Sequence, residues 1–137
     1  MSETTSILKP GAVAERLRTA SEAEQSGKSF GAVGIALKKA LAETRRSLLE
    51  HYSRGDVIVA KLAQVMDEAL IAIAAPALAA LPPKARIAIA ATGGYGRAQL
   101  APLSDIDLLI LHSGVNEDQL KTFVNAILYP LWDADLQ

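Results

Sequence analysis

Two short apolar runs, Arg86-Ile-Ala-Ile-Ala-Ala91 and Ile106-Asp-Leu-Leu-Ile-Leu111, bracket a segment that contains Gly93, Gly94 and Gly96. The first run is bounded by Pro82-Pro83 and by the glycines, and each run is too short for a self-supporting helix. Both therefore read as buried strands. The chain between them has to turn sharply, and glycine lets it do so at positive φ. The order strand, glycine turn, strand is the strongest constraint in this sequence.

The second strand begins with Asp105-Ile-Asp107. Residues i and i+2 of a strand point to the same face, so the two carboxylates project together while Ile106 points the other way. Gly93, Gly94 and Gly96 can adopt positive φ and bring unhindered N–H groups to a phosphate chain. Arg97 supplies a planar, permanently charged partner for phosphate oxygens. Ser104 has two readings, a phosphate contact or a cap on the turn ahead of the strand.

Paired carboxylates beside a phosphate-cradling turn suit nucleotidyl transfer. Attack on the α-phosphorus of a nucleoside triphosphate builds charge on the attacking, bridging and leaving oxygens. Divalent metal held by carboxylates neutralises that charge, and two ions roughly 3.5–4 Å apart clamp nucleophile and leaving group. Mg²⁺ takes oxygen ligands, keeps several waters and needs only one or two protein carboxylates. Asp105 and Asp107 meet that demand. A bare Asp-x-Asp is usually a solvated strand start; here the glycine turn eleven positions earlier changes the reading.

Other sites fit less well. Gly94-x-Gly96 begins a dinucleotide fingerprint, but Gln99 stands where the third glycine belongs, and no acidic residue follows at the required distance. No Walker A loop is present. His51 and His112 lack a second ligand at metal-binding spacing and read as exposed or capping residues. Asp133 and Asp135 read as solvated.

The flanking sequence is helical. Residues 1–30 are polar and poorly periodic and read as a mobile tail with a short helix around Ala12 to Glu24. From Gly34, Leu37, Leu41, Leu48 and Tyr52 recur at spacings of four and seven, and Arg54-Gly55 supplies a stop. Asp56 is the expected N-cap of a further helix, which Pro76 should kink or end. Asn116, with Gln119 three residues on, opens the last helix through a capping box. Its stripe Leu120, Phe123, Val124, Ile127, Leu128, Leu131 and Trp132 should be core. The organisation expected is a tail over 1–30, a helical region over 31–85 and the start of a catalytic core over 86–137.

With 137 residues, half of them hydrophobic, the chain has material for one core. The net charge of −1 and mixed signs argue against a nucleic-acid or membrane partner held by bulk electrostatics. The absence of cysteine excludes disulfides and thiolate metal sites. The amino terminus lacks the features of a secretory signal. The apolar run Ala69 to Leu81 is too short to span a bilayer. A soluble, cytoplasmic protein is expected.

Gly-Gly, ten residues and Asp-x-Asp together resemble the signature of the DNA polymerase β-like nucleotidyltransferases. The fuller string Gly93-Gly-Tyr-Gly-Arg97, Leu100-Ala-Pro102, Ser104-Asp-Ile-Asp-Leu-Leu-Ile-Leu111 and Leu131-Trp-Asp133 resembles the bifunctional PII uridylyltransferase/uridylyl-removing family. The motif match covers residues 86–137; the earlier residues resemble the family only in helical character. The resemblance implies transfer of UMP from UTP to a tyrosine of the PII signal protein, with Mg²⁺ and with glutamine as effector. It makes Asp105 and Asp107 metal ligands and places Gly93, Gly94 and Arg97 in the nucleotide loop.

The family's third catalytic carboxylate, its HD phosphohydrolase domain and its ACT domains have no counterpart in these 137 residues. An amino-terminal piece of a longer enzyme is therefore expected, without uridylyl-removing activity and without full transferase activity alone. The fold expected is α/β, or α+β in some schemes: an incomplete polymerase β-like core behind a helical region. The alternatives are a stand-alone minimal or aminoglycoside-type nucleotidyltransferase and a non-catalytic fragment that binds nucleotide or protein.

Overall fold

Leucines spaced by three, four and seven along the first half of the chain can bury a common stripe only as helices, and they do so. The computed structural model describes residues 7–136. Its elements are α1 (Ala12–Gln25), α2 (Ala32–His51), α3 (Gly55–Ala79), β1 (Arg86–Ala91), the single turn α4 (Gly93–Gly96), β2 (Leu108–Ser113) and α5 (Glu117–Asp133). Helices α1, α2 and α3 pack on one another, and α5 lies across α2 and α3.

The core between them is built by Val13 and Leu17 of α1, Leu37, Leu41 and Leu48 of α2, Leu62, Met66 and Ile73 of α3, and Phe123, Ile127 and Leu131 of α5. Helix α3 is apolar on most of its circumference, as expected of a helix with neighbours on several sides. None of the helices among the described residues is long and apolar enough to cross a membrane.

The short helix expected around Ala12 to Glu24 is present as α1, but the segment around it is packed from residue 7 onward rather than a mobile tail. Ile7, Val13 and Leu17 are buried, and α1 is an integral layer of the bundle. Most of its residues are polar because only a narrow stripe, Val13 and Leu17, faces inward. Arg16 pairs with Glu43 of α2, and Glu68 of α3 accepts the Gly11 N–H at 3.0 Å. Residues 1–6 lie outside the described residues.

Two helix boundaries also differ from expectation. Arg54, in extended conformation, is the N-cap of α3, and Asp56 sits in the first turn, where its carboxylate chelates the Arg54 guanidinium. A carboxylate there is stabilised by the helix dipole whether or not it caps. Pro76 does not stop the helix at once; α3 runs on to Ala79, within one turn of the proline. The Asn116–Gln119 capping box is present with both reciprocal bonds, at 2.8 and 3.0 Å.

Strands β1 and β2 pair antiparallel, from Arg86 opposite Ser113 to Ala91 opposite Leu108. They form a two-stranded sheet among the described residues. Ile87, Ile89 and Ala91 share its inner face with Leu108 and Ile110 and pack against the helical core, with Ile106 just ahead of β2. The opposite face is open: Leu109 and Leu111 are 49% and 56% exposed. The strands were expected to be buried, yet only one face is covered. Their composition does not alternate, but their burial does.

The helical stripe of α5 is likewise narrower than its apolar residues suggest. Phe123 is buried, whereas Trp132 is 56% exposed and lies beside Tyr129 rather than in the core. The architecture is a mixed α+β arrangement, a helical bundle with a small antiparallel sheet against one side.

Candidate functional site

The glycine turn is fastened to both strands. Thr92 follows β1, and its N–H and hydroxyl both donate to the Asp107 carbonyl, at 2.9 and 3.3 Å. This extends the β1–β2 pairing one step past the regular strands and draws the carboxylate segment to the turn. Gly93 then takes φ +58, a left-handed conformation that a side chain would resist. A Cβ at Gly93 would sit 2.5 Å from the Asp107 Oδ2, so the bare glycine backbone lies directly under that carboxylate.

Gly94 and Gly96 differ from the expectation of positive φ; their backbone is helical, as part of α4. Their requirement is spatial. At Gly96 a Cβ would meet the Ala91 carbonyl oxygen at 2.6 Å, and at Gly94 the Gln99 carbonyl oxygen at 3.1 Å. The turn folds back on the end of β1 too tightly for side chains. It closes through Gly96 N–H to Thr92, and through Arg97 and Gln99 N–H to Gly94. Ala98 is held at φ 55, strained for a residue with a Cβ.

Asp105 and Asp107 are exposed, and Ile106 between them is half-buried and packed inward. The alternation read from the sequence is therefore present, although both aspartates precede β2, which starts at Leu108 rather than Ile106. Neither carboxylate takes part in an ion pair or a side-chain hydrogen bond among the described residues. Their oxygens can therefore bind an external cation. No group of three or more His, Cys, Asp or Glu side chains is assembled for a metal among the described residues. A pair of carboxylates with water and phosphate oxygens still matches what Mg²⁺ accepts.

Arg97 is exposed just after the turn and forms no ion pair among the described residues, so its guanidinium can meet a phosphate. Ser104 donates its hydroxyl to the Ala101 carbonyl at 3.0 Å, the turn-capping geometry. His51 binds the Ser47 carbonyl at the end of α2, and His112 lies exposed on β2.

Two residues to which the sequence reading gave no role, Tyr95 and Asp67, support the turn. Tyr95, in the middle of α4, is 5% exposed and donates its hydroxyl to the Asp67 Oδ1 on α3 at 2.6 Å. Burial, then the hydrogen bond and the charge of Asp67, push the Tyr95 phenol well above the usual tyrosine range, so it stays a donor. Tyr95 is visible as the one aromatic residue among the glycines, but nothing local announces a partner 28 positions upstream.

The site is an open surface rather than a pocket. The large cavity of about 1040 Å³ lies elsewhere, between α1, α2, α3 and α5, and its lining includes Leu17, Ile73 and Phe123 but no residue of the turn or the Asp-x-Asp.

Comparison with known proteins gives a consistent set of relatives. A bifunctional uridylyltransferase/uridylyl-removing enzyme of Erythrobacter litoralis is 38% identical over 104 residues, covering 72% of this chain and 11% of that protein. Enzymes of the same name from Streptomyces coelicolor and Azospirillum brasilense are 45% identical over 47 residues and 51% identical over 49. Those two matches cover 34% and 36% of this chain, and 6% and 5% of the respective relatives. The chain thus spans a small part of the length of the proteins it matches. No family model matches it, and no solved structure does.

Proposed function

From its likeness over the matched segment to the bifunctional uridylyltransferase/uridylyl-removing enzymes, we propose that the chain is a piece of such an enzyme and that its residues 86–136 bind Mg²⁺ and UTP and serve in uridylyl transfer to a tyrosine of the PII protein. The observation that carries the proposal is the placement of the Asp107 carboxylate directly over the bare backbone of Gly93, with Asp105 exposed two residues away. Carboxylate oxygens and a side-chain-free turn meet at one spot, as a metal-bound triphosphate requires.

In the transfer, the acceptor's phenolic oxygen bonds to the α-phosphorus as the bond to the bridging oxygen breaks. Pyrophosphate departs with the electron pair, and the phenol's proton is lost to solvent. Bound Mg²⁺ would neutralise the charge on these oxygens. Asp105 and Asp107 would hold the ion, the turn from Gly93 to Gly96 would admit the phosphates closely, and Arg97 would pair with their outer oxygens. Ser104 is assigned to the edge of this loop, where its oxygen keeps lone pairs for a further contact. Glutamine acts in this proposal as an effector through other domains, in the cytoplasm and without a nucleic-acid partner.

The test is incorporation of labelled UMP into PII by the protein that carries this segment, with and without Mg²⁺, beside its Asp107→Asn variant. Mg²⁺-dependent labelling that the variant lacks supports the proposal. Binding of UTP with no transfer to PII would favour a nucleotide-binding role instead.

A further inference from the structure

Besides its fastening to the strands through Thr92 and Asp107, the glycine turn is held at two further points, both on one helix. Tyr95 donates to Asp67 of α3, and the Leu100 N–H donates to the Val59 carbonyl of the same helix at 3.3 Å. Leu100 is itself 2% exposed, so both ends of the segment Tyr95–Leu100 are sunk into the bundle. Between them lie the exposed residues expected to meet phosphate, Gly96 and Arg97, and the strained Ala98. A backbone at positive φ without glycine persists only where its surroundings over-determine it. Here α3 supplies that constraint.

Resting on the reading of this turn as a nucleotide loop, we propose that Asp67 and Tyr95 are positioning residues, which hold the turn in its triphosphate-binding shape. Asp67 touches no substrate in this account. It acts through Tyr95, whose phenol oxygen is its partner at 2.6 Å. Loss of that bond, one made to a charged group, removes the side-chain tie between the turn and α3 and frees the turn to leave its shape. Binding would then have to restore the order, and affinity falls by the fraction of molecules that hold it.

The experiment uses Tyr95→Phe, which removes one oxygen and keeps the buried ring, Asp67→Leu, which removes the acceptor, and Asp67→Asn, which keeps an acceptor oxygen. Each is followed by thermal unfolding, amide hydrogen exchange without nucleotide, and titration with UTP and Mg²⁺ alongside the KM–kcat pair for transfer. Tyr95→Phe and Asp67→Leu should raise the UTP Kd and KM about 10-fold, with kcat within about 3-fold of wild type. Exchange at Gly96 to Gln99 should quicken, since local opening becomes easier. Asp67→Asn should stay within about 3-fold of wild type throughout.

A purely structural bond would lower the melting temperature and leave KM in place, and that result overturns the proposal. So does unchanged exchange in Tyr95→Phe. If the wild-type protein binds no UTP, the nucleotide reading fails, and the exchange data decide by themselves whether α3 holds the turn.

Discussion

Replacing Gly96 by alanine adds a single methyl group at the tightest backbone approach in the site. The new Cβ would lie 2.6 Å from the carbonyl oxygen of Ala91 and 3.0 Å from its carbonyl carbon. An ordinary carbon–oxygen contact is about 3.3 Å, so the turn and the end of β1 have to separate by about 0.7 Å. Both partners are backbone, and neither can swing aside as a side chain would. Overpacking of this kind costs about 1–3 kcal/mol. Alanine's better helix propensity returns up to ~1 kcal/mol, because Gly96 has helical rather than positive φ. The net loss should be about 1–2 kcal/mol, which for a chain of this size lowers Tm by roughly 3–10 °C. Gly55→Ala provides the control: the same methyl meets nothing within 4 Å at the start of α3 and should be neutral or slightly stabilising. Calorimetric unfolding of both variants beside wild type is the assay. If Gly96→Ala melts at or above wild type, as Gly55→Ala should, then the close approach of turn to strand is not what glycine serves here.

Asp105→Asn and Asp107→Asn should each abolish Mg²⁺-dependent transfer while Tm stays within a few degrees, because both side chains are exposed and unpaired among the described residues; near-normal labelling of PII by both variants would remove them from the site. Phe123→Ala should cost about 3–5 kcal/mol in denaturant unfolding, since Phe123 is 2% exposed at the junction of α5 with the bundle. Thr44→Val should be neutral or stabilising by about 1 kcal/mol: Thr44 is fully buried on α2 and its hydroxyl has no hydrogen-bond partner among the described residues, so the valine loses nothing and relieves an unsatisfied donor. A clear loss of stability in Thr44→Val would show that the hydroxyl is satisfied.

Much of the site's local logic could be read from adjacent residues. The alternation of Asp105, Ile106 and Asp107 follows from strand geometry alone, and the exposure of the aspartates beside the half-buried Ile106 agrees with it. The Asn116–Gln119 box needs only four residues and formed as read. The reading weakened wherever a residue's role depended on what lies across from it. Gly93 and Gly96 look alike as letters, yet one relieves a left-handed backbone and the other a contact with Ala91. Trp132 shares the spacing of Phe123 but points beyond the neighbours that α2 and α3 offer to α5.

The helical spacing of α2, the Asn116–Gln119 capping box and the order strand, glycine turn, strand were settled by the sequence itself, because those interactions close within a few residues and depend on side-chain type and spacing. The packing of α1 into the bundle, the open face of the sheet and the bond from Tyr95 to Asp67 were decided only in three dimensions. Burial and hydrogen-bond satisfaction are properties of two surfaces that meet, and the second surface in each case comes from a distant part of the chain. A polar helix such as α1 becomes core when its narrow apolar stripe finds a partner, and an apolar strand stays half-exposed when one of its faces finds none.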